Sequence, residues 1–112
     1  MTDAISARLL VERTEALAQL AALTREYDAM VAASEVSNAD DEHDPEGATI
    51  GFERAQLAAT MDMTRGRIAD LDRAMSQVEA GSYGRCETCG GEIGAERLAA
   101  RPSARTCITC AR

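Results

Sequence analysis

The first 44 residues contain neither proline nor glycine, and their apolar residues recur at heptad spacing. This pattern predicts one long amphipathic helix from about Asp3 to Val36. Leu10, Leu17 and Val31 widen the predicted apolar face, and Arg13 interrupts one of its two rows. The two rows contain the apolar residues Leu9, Ala16, Leu23 and Met30, and Leu20 and Tyr27.

A second apolar stripe runs between about Thr49 and Glu79 at alternating steps of three and four. It consists of Ile50, Leu57, Met61, Ile68, Leu71, Met75 and Val78. We expect a second helix there, stopped at Gly81, because glycine readily takes the left-handed conformation that ends helices. The segment SNADDEHDPEG between the stripes is rich in turn-forming residues. Two long helices joined by a polar turn predict a mainly α fold built on an antiparallel coiled-coil hairpin.

Four cysteines, the only ones in the chain, form the pattern Cys86-x2-Cys89-x17-Cys107-x2-Cys110. Two such pairs separated by roughly 15 to 20 residues are typical of a zinc site, because each pair offers two thiolates to one tetrahedral ion. The protein then fills all four ligand positions, which indicates one structural Zn²⁺ and no enzyme activity at this site. Disulfides and a rubredoxin-like iron centre are the alternatives.

These patterns divide the chain into a hairpin over residues 1–80 and a small four-cysteine zinc finger over residues 81–112. We expect the finger to pack at the base of the hairpin, with Ile93 and Leu98 near Leu10 and Val78.

Composition limits the kind of core and the cellular location that we expect for the chain. Aromatic residues make up only 3% of the 112 residues, so the large rings that usually fill a globular core are scarce. The N-terminus is charged and amphipathic, and no apolar run approaches the roughly 20 residues of a membrane span. We therefore expect a cytoplasmic protein with no membrane segment.

Negative charge is concentrated at the predicted hairpin tip, about residues 37–48. Nine of the 19 acidic residues fall between Arg25 and Arg54, where no basic residue occurs, and the net charge is -7. A charge run is often only a solvated surface, but this one separates two long helices. The 12 basic residues are scattered rather than clustered, which argues against sequence-specific DNA binding.

The segment GSYGRCETCGGEIGAERLAARPSARTCITC, residues 81–110, resembles the zinc finger of the DksA/TraR family of bacterial RNA polymerase regulators. The resemblance implies a coiled coil that enters the secondary channel of RNA polymerase, with an acidic tip that acts near the catalytic magnesium to modulate initiation. It also implies that Arg97 and Arg101 contact the polymerase or guanosine tetraphosphate. Asp70 stands where a rod lysine is expected, so the response to guanosine tetraphosphate is left open. The motif likeness lies in Tyr83-Gly84, both cysteine pairs, Glu92-Ile93-Gly94, Arg97-Leu98 and Ala100-Arg101-Pro102.

The tip motif of the family, Asp-x-x-Asp-x-Ala, fits this chain in two registers. Asp41-x-x-Asp44 keeps both acids but has Glu46 where Ala is expected, whereas Asp44-x-Glu46-x-Ala48 has one residue fewer between the acids. The resemblance therefore implies Asp41, Asp44, Glu46 and Ala48 together as candidate effectors. Stimulation of transcript cleavage, with tip carboxylates holding a second magnesium, is a related role. The alternative from another class is an adaptor whose finger docks a different protein and whose coiled coil is a spacer.

Overall fold

Three helices make up the regular structure of the part of the chain that is described. The structure is a computed structural model, and it describes the backbone of residues 2–37 and 45–111 and the side chains of residues 4–35 and 49–111. Within those ranges an isolated antiparallel bridge between Arg85 and Glu92 is the only β pairing. The predicted mainly α fold is confirmed, with helices α1 (Thr2–Ser37), α2 (Pro45–Ala80) and α3 (Ala95–Ala100).

Among the described helices, none is both long enough and apolar enough to cross a membrane.

Helix α2 begins at Pro45, earlier than the start predicted near Thr49. Proline suits the first turn of a helix, because the N–H that it lacks would have no intrahelical acceptor there. Glu46 and Ala48 consequently belong to the first turns of α2 rather than to a loop. The remaining tip candidates, Asp41 and Asp44, lie outside the described residues.

Helix α2 ends at Ala80 in a Schellman motif. The Ser82 N–H donates to the carbonyl of Gln77 at 2.9 Å, and the Gly81 N–H donates to the carbonyl of Val78 at 3.2 Å. Gly81 has φ +79°, a value that favours glycine because a Cβ would clash. The predicted stop signal is therefore confirmed, and the chain turns directly from α2 into the cysteine module.

The chain divides into two compact units, one formed by residues 1–16 and 67–112 and the other by residues 17–66. The predicted boundary at residue 80 between hairpin and finger stays a prediction. In the first unit, the start of α1 pairs with the end of α2. This pairing is antiparallel, because Ile5 lies beside Tyr83, just after α2, while Glu12, farther along α1, pairs with Arg67.

The core of the first unit is small and lies between α1 and α2. Its buried members are Leu9, Ala16, Leu71 and Ala74. Five half-buried side chains pack against them: Ile5, Ile68, Met75, Val78 and Tyr83. Leu and Ala recur because a pair of helices without large aromatic rings must pack closely to exclude water.

Charged residues flank this core. Arg13, which interrupts the apolar row of α1, pairs with Asp72 of α2, and Glu12 pairs with Arg67 at 3.3 Å. Such partly exposed pairs contribute less than about 1 kcal/mol each to stability. Their main effect is on the register of the two helices.

Three of the four residues expected where the finger meets the helices are buried or half-buried, namely Ile93, Leu98 and Val78. Ile93 is 2% exposed, and the Tyr83 hydroxyl donates to the carbonyl of Pro102 at 2.7 Å. Leu98 lines an apolar groove with Ile5 and Tyr83. The prediction for Leu10 was wrong, since its side chain is 53% exposed.

The error concerns the direction in which the Leu10 side chain points around the helix axis. Successive residues of an α-helix point about 100° apart, so Leu10 lies off the predicted apolar row that contains Leu9. Leu9 is fully buried, whereas Leu10 and Leu17 are exposed. The predicted heptad row of Leu9 and Ala16 is therefore confirmed as the buried face, and its widening by Leu10 and Leu17 was wrong.

In the second unit, residues 17–66, the most buried of the described side chains are Met61 and Thr64. The Thr64 hydroxyl donates to the carbonyl of Thr60 at 2.8 Å, which satisfies its hydrogen-bonding capacity inside the helix. Thr64, which lies between Met61 and Ile68 of the predicted stripe, therefore belongs to the buried face.

We predict that Leu71→Ala lowers the free energy of unfolding by about 2 to 5 kcal/mol, because it opens a cavity in the small core. Urea denaturation followed by circular dichroism measures this change. Leu10→Ala is the matched control, and we expect a change within about 0.5 kcal/mol because the side chain is exposed. Equal losses in the two variants would contradict the assignment of the core.

Candidate metal centre

The first cysteine pair lies in a tight loop. The Cys86 N–H donates to the carbonyl of Gly91 at 2.7 Å, and the Gly90 N–H donates to the carbonyl of Cys86 at 3.0 Å. Gly90 has φ +75°, so this reversal of the chain favours glycine. The bridge between Arg85 and Glu92 closes the loop from outside. The sequence therefore forms a knuckle that turns the side chains of Cys86 and Cys89 to one side.

The second pair forms a similar turn, in which the Cys110 N–H donates to the carbonyl of Cys107 at 3.1 Å. One backbone hydrogen bond joins the two knuckles, from the Glu87 N–H to the carbonyl of Arg105 at 2.9 Å. Since Glu87 follows Cys86 directly, this bond fixes the approach of the second pair to the first.

The four cysteine sulfurs converge on one point. Their Sγ atoms all lie within 4.8 Å of one another, and Cys89 Sγ is 3.9 Å from Cys107 Sγ. A zinc–sulfur bond of about 2.3 Å in a regular tetrahedron separates sulfurs by about 3.8 Å, so the arrangement fits one tetrahedral ion. All four cysteines are free thiols, which disfavours the disulfide alternative. The predicted single structural Zn²⁺ is confirmed, and the protein occupies every ligand position.

Backbone amides stabilise the thiolate forms. The Cys89 N–H lies 3.5 Å from Cys86 Sγ, and the Gly91 N–H lies 3.4 Å from Cys89 Sγ. Hydrogen bonds from backbone N–H groups, that of Cys89 first, lower the pKa of Cys86 to about 6. The backbone N–H of Cys110 is likewise the main cause that lowers the pKa of Cys107.

Cys110 behaves in the opposite way. Its side-chain hydrogen bond to Cys107 is the main cause that raises the pKa of Cys110 to about 12. Four sulfurs this close cannot all carry negative charge unless a cation balances them. A divalent ion supplies that balance, and it deprotonates coordinating thiols outright.

The ligands differ in their exposure to solvent. Cys86 is 2% exposed, Cys89 is exposed, and Cys107 and Cys110 are half-buried. The site thus lies at the surface of its unit with one side covered.

Arg97 and Arg101 both line a groove between α3 and the second knuckle, with a cavity volume of about 530 Å³. The Arg97 Nε–H donates to the carbonyl of Thr106 at 2.8 Å, which ties α3 to the segment before Cys107. The Arg101 side chain is exposed, while its N–H closes α3 on the carbonyl of Arg97 at 2.7 Å. The role of both arginines in binding a partner stays a prediction.

Sequence reasoning missed a group of charged residues that join α2 to the knuckles. Arg73 of α2 contacts Glu87 within the first knuckle and the carbonyl of Ser103 ahead of the second. No spacing rule links these three positions, so only the fold reveals them.

Comparisons with known proteins agree with this geometry. Residues 81–112 match the family described as the prokaryotic dksA/traR C4-type zinc finger. The RNA polymerase-binding transcription factor DksA of Escherichia coli K12 is 45% identical over 49 residues, which are 44% of this chain and 32% of that protein. The protein of the same name from Caulobacter vibrioides NA1000 is 48% identical over 52 residues, which are 46% of this chain and 37% of that protein. The matched segment thus spans about a third of these relatives.

A solved structure extends the likeness of fold to nearly the whole chain. Transcription factor DksA2 from Pseudomonas aeruginosa matches 96% of this chain and 78% of its own, with a TM-score of 0.77 and 23% sequence identity. At this identity the match supports the fold alone.

We predict that Cys107→Ser lowers the zinc content of the purified protein by tenfold or more, because a hydroxyl is a far poorer zinc ligand than a thiolate. Elemental analysis after gel filtration measures the bound metal. Thr109→Ser, within the same knuckle, is the control and should retain the wild-type content. Zinc at the wild-type level in Cys107→Ser would contradict the assigned ligand set.

Proposed function

We propose, from the match of residues 81–112 to the prokaryotic dksA/traR C4-type zinc finger, that the chain is a transcription regulator that binds bacterial RNA polymerase. The observation that carries the proposal is this finger, joined in one chain to two helices of 36 residues each. A zinc finger with four protein ligands offers no open coordination position, so regulation proceeds through binding rather than through catalysis by the chain.

We further propose that the helices enter the secondary channel of the polymerase. A helix of 36 residues is about 54 Å long, so a pair of them reaches deep into a partner through a narrow opening. The segment between the helices is then the part that acts near the catalytic magnesium.

In this proposal the acidic residues at the tip are the effectors. Glu46 and Ala48 begin helix α2, and Asp41 and Asp44 precede it in the sequence. Carboxylate oxygens bind Mg²⁺ and pair with basic groups of a partner, and both effects alter the stability of an initiation complex. The concentration of acids between Arg25 and Arg54 supports this role.

Arg97 and Arg101 are the proposed contacts of the finger with the polymerase or with guanosine tetraphosphate. The exposed guanidinium of Arg101 suits bidentate recognition of a carboxylate or a phosphate. Asp70, in contrast, stands where the resemblance implies a lysine, and its carboxylate pairs with Arg73 and Arg105 instead of offering a positive charge to a nucleotide. A polymerase contact is therefore the stronger of the two proposals.

The second candidate function, an adaptor that docks another protein through the finger, is favoured by one observation. Ile108, between the cysteines of the second knuckle, is 79% exposed and lines the groove beside α3. Large exposed apolar side chains of this kind mark surfaces that bind other proteins.

The test compares two triple variants with equal changes of charge. The tip variant replaces three acids by alanine: Asp41, Asp44 and Glu46. The control variant replaces three acids of helix α1 by alanine: Glu26, Asp28 and Glu35. We predict that both variants bind RNA polymerase within about threefold of the wild-type affinity, since exposed ion pairs each contribute little to affinity.

Only the tip variant should lose the effect on initiation, measured as transcript yield in a purified system. Equal loss in both variants would show that bulk negative charge matters and would contradict the tip as effector. If the wild-type chain does not bind polymerase, the regulator proposal fails and the adaptor is favoured instead.

A further inference from the structure

A network of charged side chains connects helix α2 to both cysteine knuckles. Arg73 lies at its centre: Nη1 is 3.2 Å from Glu87 Oε1, and Nη2 is 3.3 Å from the carbonyl of Ser103. Nη2 also lies 3.5 Å from Asp70 Oδ1 on the same helix. Arg105 completes the network, with Nε 3.0 Å from Glu87 Oε2 and Nη1 3.8 Å from Asp70 Oδ1.

The residues that Arg73 holds are adjacent to zinc ligands in the sequence. Glu87 follows Cys86 directly, and its N–H donates to the carbonyl of Arg105, two residues before Cys107. Arg73 thus contacts the point at which one knuckle is bonded to the other. Its contact with Ser103 fixes the loop that leads into the second pair.

Arg73 is the most buried of the charged side chains in this network. Its side chain is 23% exposed, against 34% for Glu87, 40% for Asp70 and 54% for Arg105. The planar fork of an arginine satisfies three acceptors at once, whereas a lysine ammonium on a flexible stem cannot match that geometry. Partial burial also reduces the screening of these interactions by salt, although it does not abolish it.

We propose that Arg73 is a positioning residue of the zinc site, which holds the two knuckles in the geometry that retains the ion. Residues behind the ligands commonly control metal affinity by fixing the orientation of the ligands. Arg73 does so from α2, so retention of zinc depends on the end of that helix. The proposal concerns the metal centre alone and stands independently of the partner that the chain binds.

The test uses Arg73→Gln in the zinc-loaded full chain, with Arg65→Gln as the matched control. Arg65 lies on the same helix and pairs with Asp62 at 3.1 Å, but it belongs to the unit without the cysteines. We expect release of zinc to excess chelator to be about tenfold faster in Arg73→Gln, the scale typical for loss of a residue that supports metal ligands. Arg65→Gln should release zinc at the wild-type rate.

Two further measurements separate positioning from general stabilisation. Hydrogen exchange should accelerate at the Glu87 amide in Arg73→Gln and stay unchanged at the Leu71 amide in the helical core. Raising the salt concentration should speed zinc release from the wild type more than from Arg73→Gln, because the variant has already lost the screened interactions. Arg73→Lys keeps the charge but not the planar fork of the guanidinium. Its rate of zinc release should lie between those of the wild type and Arg73→Gln.

Two results would overturn the proposal. If zinc leaves Arg73→Gln at the wild-type rate, the contacts of Arg73 do not control its retention. If the Leu71 and Glu87 amides lose protection together, Arg73 contributes only to the stability of the whole unit.

Discussion

Charge balance at the four cysteine sulfurs is the constraint on which the rest of the finger depends. Sulfur atoms within 4.8 Å of one another repel as thiolates, and a divalent ion turns that repulsion into attraction. The loops around the site have almost no apolar core of their own, apart from Ile93. A small module of this kind buries too little apolar surface to be stable through a hydrophobic core. The ion supplies that stabilisation instead.

Much of this architecture could be predicted from the sequence because its determinants are local. Heptad spacing indicated both long helices, Gly81 indicated the end of α2, and the cysteine spacing indicated the metal. Errors arose where the answer depended on the third dimension. Heptad spacing placed Leu9 in the core row, but only the fold shows that its apolar neighbour Leu10 remains exposed.

The candidate site shows the same division. The spacing of the cysteines identified a tetrahedral site, yet it gave no sign of Arg73, which meets Glu87 and Ser103 across 14 and 30 residues of sequence. Arg97, chosen by resemblance as a contact for a partner, also has a role inside the finger through the carbonyl of Thr106. A motif identifies which side chains matter, but the fold is needed to tell internal contacts from surfaces offered to a partner.

The finger is attached to α2 at two separate points, one covalent and one electrostatic. The chain leaves the helix at Gly81, and Arg73, two helical turns earlier, contacts both knuckles. A module attached at one point swivels about it, and a binding partner must first arrest that rotation at an entropic cost. With a second attachment most of this rotational freedom is already lost in the unbound chain. The finger therefore meets any partner as a preorganised surface, and a larger share of its contact energy appears as affinity.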